Sequence, residues 1–393
     1  MSGEGGSSSM AGAGRPIRAL LVDSSFFTQP YDTALHNGLV AAGVEAHWLT
    51  RRLRAGEGIQ LPSDAQTALF YPVSERGGPR SERPLSRLLK AAEHPLGLAR
   101  MVHLARRYDV VHVQWAMVPA IDAFALGQIR TRRPVVFTVH DTQPFNGKAM
   151  NAWRTRGFER LFDVADALIV HTESGRASLI GAGAPAERIH VIPHGPLPLA
   201  GAAEPQARGA RWRIVLFGRL QHYKGADLLV EALGRLDPAQ RARIEVMIAG
   251  EPMIDLAPLR ARAAELGIDG KTLRFEPRVF SDADMAALLA GADSFVLPYR
   301  AIDASGVLFL ILGLGKWIVA SDIGAFAETL RDGETGRLIP PGDIDTLAAA
   351  LADAVGRKVA PGALAATGWD AIGIRTAELY RNLITARGKA VSR

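Results

Sequence analysis

The chain contains no cysteine, which excludes disulfides, cysteine-ligated zinc, iron–sulfur clusters and thiol nucleophiles. It has no run of about 18 uninterrupted apolar residues, so no segment reads as a transmembrane helix. The stretch 1–14 is rich in glycine and serine but lacks both a charged n-region and an apolar h-region. A disordered leader on a cytoplasmic protein is therefore expected, not a signal peptide. No Asp-x-Asp pair closes a strand in the first half, and no histidine cluster has metal-ligand spacing, so neither a metal nor a cofactor is expected. Aromatic residues make up only 7% of the chain, and none interleave with basic residues in a nucleic-acid-binding pattern.

What is present is an ordinary globular composition, 48% hydrophobic and 22% charged over 393 residues, with a net charge of +6. That length exceeds one ordinary core and predicts two domains. The positive balance invites an anionic partner such as a membrane surface, and an arginine-rich compositional bias explains the total equally well.

Short β-branched runs separated by amphipathic stretches predict strands at Ile17–Asp23, Glu45–Thr50, Ala68–Val73, Val110–Trp115, Val135–His140, Ala167–Thr172 and Ile189–His194. Near-continuous apolar strands of this kind belong to a parallel sheet covered on both faces by helices. The pattern lapses in a small-residue linker over 198–210. It restarts with Ile214–Phe217, Ile244–Ala249, Leu273–Phe275, Phe295–Leu297, Ile318–Ala320 and Arg337–Ile339. The expectation is an α/β chain of two doubly wound, Rossmann-like domains, 15–197 and 211–368, facing each other across a cleft. Ligands of such sheets bind at the carboxyl ends of the strands. Trp369–Ala386 reads as a helix within a terminal segment, 369–393, that packs back on the first domain.

Two constellations carry chemistry. In Gly218-Arg219-Leu220-Gln221-His222-Tyr223-Lys224-Gly225, Gly218 permits a tight exit from an apolar strand, and Arg219 and Lys224 project at its carboxyl end. In Asp303-Ala304-Ser305-Gly306-Val307-Leu308, a strand is followed by a loop and an apolar helix start, whose amides at Gly306, Val307 and Leu308 suit an anion. Together they form a metal-free cradle for a diphosphate. The same spacings also fit a solvated loop and an ordinary helix cap. Asp303 could accept sugar hydroxyls, and His140, followed by Asp141, closes a strand of the first domain. Finally, residues 76–107 hold Arg76, Arg80, Arg83, Arg87, Lys90, Arg100, Arg106 and Arg107 interleaved with leucines. That reads either as basic amphipathic helices on an anionic leaflet or as a solvated helix face.

These motifs, with Gly315 to Gly324, Glu328, Asp332 to Asp343, Val111 to Trp115, Val139-His140-Asp141 and Ile192-Pro193-His194-Gly195, resemble the retaining GT-B glycosyltransferases of family 4, the glycosyl transferases group 1. The resemblance covers 211–393 and fits the first half. It implies that Arg219 and Lys224 hold the donor diphosphate beside Gly218, with Ser305, Gly306, Val307 and Leu308 around the same phosphates. Asp303 stands near the family's first glutamate and His140 faces the donor sugar. Leu310 or Ile311 replaces the second glutamate, which holds the ribose, and Glu328 is the candidate to serve in its stead. The loop from Ser24 to Asp32 lacks the family's paired glycines. The implied activity is metal-independent, retaining transfer of a hexose from a nucleotide diphosphate sugar. The acceptor would be a glycan or lipid-linked molecule in exopolysaccharide or cell-envelope synthesis, with peripheral membrane contact through 76–107 and no nucleic acid as partner. Two alternatives remain open at this point: a GT-B-fold sugar-nucleotide epimerase, which needs no acceptor, and a degenerate nucleotide-sugar-binding scaffold.

Overall fold

A computed structural model describes residues 15–54, 61–77, 84–142, 157–199, 209–364 and 366–391. The leader expected over 1–14 and the central part of the linker, 200–208, lie outside these residues, as do Arg80 and Arg83. Buried β-branched runs dictate the architecture. Strands such as Val110–Val113 and Ile244–Ala249 are buried along their whole length, as parallel strands with both faces covered must be.

Seven strands form the first sheet: β1 (Ile17–Val22), β2 (Val44–Arg51), β3 (Gln66–Phe70), β4 (Val110–Val113), β5 (Val135–Thr138), β6 (Ala167–Val170) and β7 (Ile189–Val191). Their order is β3-β2-β1-β4-β5-β6-β7. Six form the second: β8 (Trp212–Phe217), β9 (Ile244–Ala249), β10 (Leu273–Glu276), β11 (Ser294–Leu297), β12 (Trp317–Ser321) and β13 (Gly336–Ile339), in the order β10-β9-β8-β11-β12-β13. The register of the second sheet is parallel throughout, for instance Ile214 opposite Val246 and Val296 opposite Val319. Every expected strand is present, and both sheets are doubly wound as the α/β pattern requires. Strand order reverses between β1 and β4 and between β8 and β11. At such switch points the loops leaving neighbouring strands part and leave a crevice for ligand.

The chain divides into two compact units, one of 1–137, 164–166 and 373–393, the other of 138–163 and 167–372. In the first, Leu20, Leu21, Trp48, Phe70 and Val111 are fully buried. The terminal helix, Trp369–Val391, contributes its later turns to this unit: the Tyr380 hydroxyl lies 2.6 Å from His112 Nδ1, and Gly373 rests on the backbone of Gly38. In the second unit, alternation along β8 sorts the core. Ile214 and Leu216 face the helices Ala226–Arg235 and Ile344–Asp353. Val215 and Phe217 face the helices Asp282–Ala290, Gly306–Ile311 and Gly324–Thr329.

Candidate functional site

All the residues singled out for chemistry fall within the second unit. β8 ends at Phe217, and Gly218 leaves the sheet at φ +117°, a conformation open to glycine and strained for other residues. A Cβ added there would stand 2.6 Å from Lys224 Nζ and 3.0 Å from Val307 Cγ2. Gly218 thus lets the end of β8, the lysine and the first turn of Gly306–Ile311 meet at the β8/β11 switch point.

Lys224 closes the short 3-10 turn His222–Lys224 and is only 5% exposed. Its Nζ lies 5.0 Å from the ring centroid of buried Tyr299, a cation–π contact. No carboxylate offsets its charge among the described residues. Its pKa is lowered from 10.5 to about 8, chiefly by burial, with Tyr223 opposing the shift and the neighbouring Arg219 adding to it. Arg219 itself is exposed. A buried ammonium of this kind leaves a deficit that an anion would fill.

Across from them, the loop after β11 presents Asp303. Its Oδ2 accepts hydrogen bonds from the Thr142 amide at 2.5 Å and the Thr142 hydroxyl at 2.6 Å. The segment after β5 is therefore fastened to the loop after β11. Asp141, next in line, is pushed up to about 7 by burial, with the Asp303 carboxylate adding and Arg219 opposing. The half-buried His140 places Nδ1 3.2 Å from Nε2 of His171. Arg219, Asp141, Asp303 and the strand-end His140 thus occupy one neighbourhood.

Three expected contributors are already engaged. Ser305 is buried and caps its helix, its hydroxyl accepting from the Leu308 amide at 3.4 Å, so Leu308 offers its N–H to the protein. Only the Gly306 and Val307 amides of the expected three remain at the first turn. Glu328 accepts from the amides of Glu173 and Ser174, both at 2.9 Å, and so caps the helix Glu173–Gly181. In the first unit, the loop after β1 is closed on itself. The Asp23 carboxylate accepts from the amides of Ser25 (3.0 Å), Phe26 (2.7 Å), Phe27 (2.8 Å) and Thr28 (3.3 Å) and from the Ser25 hydroxyl (2.9 Å).

Comparison with known proteins agrees with this geometry. The model of Glycosyltransferase Family 4 matches residues 33–195, and that of Glycosyl transferases group 1 matches residues 211–356. The chain belongs to glycosyltransferase family 4. A D-inositol 3-phosphate glycosyltransferase of Thermobispora bispora is 29% identical over 305 residues, 70% of each chain. A phosphatidyl-myo-inositol mannosyltransferase of Mycolicibacterium smegmatis is 30% identical over 251 residues, 62% of this chain and 61% of that one. Among solved structures, a sucrose-phosphate synthase of Thermosynechococcus elongatus superposes with a TM-score of 0.68 at 20% identity, over 95% of this chain and all of the other. Anabaena HepE, solved with UDP and glucose, gives 0.62 at 17% identity over 96% and 99%. Both share the fold, and the GT-B arrangement of two Rossmann-like domains is thereby established for this chain.

The positions that the resemblance aligns with the family's second glutamate are apolar here. Ile311 is fully buried and Leu310 half-buried, both against the cluster that covers one face of the second sheet. Four residues of the site carried little or no signal in the sequence. Asp141 stood out only as the neighbour of His140. Thr142 and Tyr299 belong to no motif. His171 follows β6 as His140 follows β5, and that shared strand-end position was the signal available for it.

Proposed function

We propose that this glycosyltransferase moves a hexose, with retention and without a metal, from a nucleoside diphosphate sugar to a glycan or lipid-linked acceptor. The observation that carries this reading is the buried Lys224 ammonium, with no carboxylate offsetting it among the described residues, at a point where a side chain on Gly218 would meet both it and Val307 of the helix Gly306–Ile311. A diphosphate placed there compensates the Lys224 charge and lies close to the Arg219 guanidinium. Relatives whose names include inositol phosphate glycosyl transfer and phosphatidylinositol mannosylation, and a structural neighbour holding UDP and glucose, support the donor and acceptor classes.

In the proposed reaction the acceptor oxygen attacks the anomeric carbon on the face from which the diphosphate departs. The bond from that carbon to the phosphate oxygen breaks, its electron pair leaves with the diphosphate, and a phosphate oxygen takes the acceptor's proton. Arg219 and Lys224 stabilise the developing charge, as preorganised cations do. The Gly306 and Val307 amides support the same phosphates, and Asp303 and His140 hold sugar hydroxyls. Two fixed cations take the part a divalent ion would otherwise play.

Membrane docking fits the first unit. The helix Pro84–Leu104 buries Leu98 and Met101 yet leaves Leu88 (68%) and Leu96 (62%) exposed, and Phe124 on the helix Pro119–Arg130 is 71% exposed. Arg100, Arg106 and Arg107 are exposed on the same segment, the combination that favours an anionic leaflet. No described helix is long and apolar enough to cross a membrane.

A thermal-shift series with UDP, GDP and dTDP sugars, each with and without EDTA, tests the donor reading. One donor should raise the melting temperature by mass action, equally in both buffers. Stabilisation only in the absence of chelator would overturn metal independence, and no response to any of them would remove the donor class. Sedimentation with anionic vesicles at low salt tests the surface, and failure to sediment ends that part.

A further inference from the structure

The strand ends after β5, β6 and β7 bring three histidines together in the second unit: His140, His171 and His194. Their hydrogen bonds have a fixed direction. His171 Nδ1 lies 3.0 Å from the carbonyl oxygen of Ile192, and a carbonyl can only accept, so Nδ1 of His171 carries the proton. The His171 ring is 7% exposed and packs edge to face on His194, which is itself buried and stacked flat on Phe309 at 4.0 Å. In that setting a charged imidazole is disfavoured: burial lowers His171 to about 4 and holds His194 well below the usual range. A neutral His171 with its proton on Nδ1 has a bare Nε2. The 3.2 Å contact from His171 Nε2 to His140 Nδ1 is then one in which His140 must donate.

We infer that His171 is a positioning residue: it fixes the proton of His140 on Nδ1, which makes His140 Nε2 the acceptor nitrogen, suited to a hydroxyl donor such as a sugar O–H. The Ile192 carbonyl orients His171, and His171 orients His140, a relay in which the outer residue touches no ligand. The part that concerns sugar recognition rests on the placement of His140 in the donor site proposed above; the tautomer itself does not.

The test is long-range ¹H–¹⁵N NMR on the full chain labelled at histidine, with His140→Asn used to assign the His140 signals among the ten histidines. His140 should show the Nδ1–H tautomer in the wild-type protein. His171→Phe, which removes the acceptor, should shift it toward Nε2–H, and His171→Gln, whose side-chain oxygen can take the same hydrogen bond, should restore Nδ1–H. Binding of UDP-glucose, used as the probe, should weaken about tenfold in His171→Phe, the worth of one well-placed hydrogen bond, and recover in His171→Gln. An Nε2–H tautomer for His140 in the wild-type protein overturns the inference, as does an unchanged tautomer in His171→Phe. If His171→Phe does not fold, the wild-type and His171→Gln spectra still decide. A tautomer that shifts as expected while UDP-glucose binding stays constant supports the relay and removes His140 from the donor site.

Discussion

Lys224 offers the sharpest test, because the charge that serves the ligand should burden the empty protein. Keeping this ammonium ionised at pH 7 with its pKa at about 8, against the ordinary 10.5, costs about 3 kcal/mol. Lys224→Met keeps most of the side-chain volume and removes the charge. It forfeits the contact with Tyr299, worth about 1 kcal/mol, and leaves a net gain of about 2 kcal/mol in the ligand-free state at pH 7. For a unit of this size that is a rise in melting temperature of roughly 4–8 °C. The sign of the pH dependence follows from the lowered pKa. Between about pH 8 and 10.5 the unfolded chain holds a proton that the folded chain has released, so wild-type stability rises with pH over that window and the variant's does not. The advantage of Lys224→Met should therefore be full below pH 8 and vanish by about pH 10.5. Turnover should fall by about 10²–10³ in kcat, the usual loss for one preorganised donor to a developing anion, and a nucleoside diphosphate should no longer stabilise the variant. Paired denaturation curves at pH 7 and pH 10.5 decide the matter. A variant that is less stable than wild type at pH 7, or whose difference is the same at both pH values, refutes the account of Lys224 as an uncompensated buried cation.

Further expectations follow from neighbouring residues. Asp141, with its pKa raised to about 7, contributes stability that is complete below about pH 4 and lost as pH rises through 7. Asp141→Asn should therefore match wild type at pH 4 and exceed it by roughly 4 kcal/mol at pH 8, as measured by urea unfolding. Gly218→Ala places a methyl against Lys224 and Val307 at a positive φ, and should cost about 1–3 kcal/mol and abolish donor stabilisation in thermal shift. Ile311→Glu places a carboxylate at a fully buried site, one of the two positions that the resemblance aligns with the family's second glutamate. It should lower the melting temperature without tightening UDP-sugar binding, because the carboxylate has no water or partner there.

The sequence disclosed the sheets because both faces of a parallel strand are covered, which leaves an unbroken apolar run at each one. It pointed to Gly218, Arg219, Lys224 and Asp303 as candidates because residues that immediately follow a strand stand at its carboxyl end, where ligands of such sheets bind. What it concealed was pairing across long separations. Nothing in the run Val139-His140-Asp141-Thr142 announces that Thr142 will fasten Asp303, 161 residues away, or that Glu328 will cap the helix at Glu173. Composition and order make the Glu328 carboxylate a candidate for the missing acid, and its two amide partners are the physical reason it is engaged elsewhere. The same holds for Leu308: a helix start promises exposed N–H groups, but the serine preceding it decides how many are left over.

The loop after β1 has a consequence for selectivity. Four consecutive amides converge there as they would on a phosphate, but the chain supplies the anion from its own Asp23. The loop is thus a lock with its key built in, set when the protein folds and indifferent to what arrives later. A molecule approaching this end of β1 meets neutralised amides and the half-exposed ring of Phe27, which stands edge-on to Trp115 at 5.5 Å. These four amides therefore hold no external anion, and adding phosphate or sulfate should leave their environment unchanged.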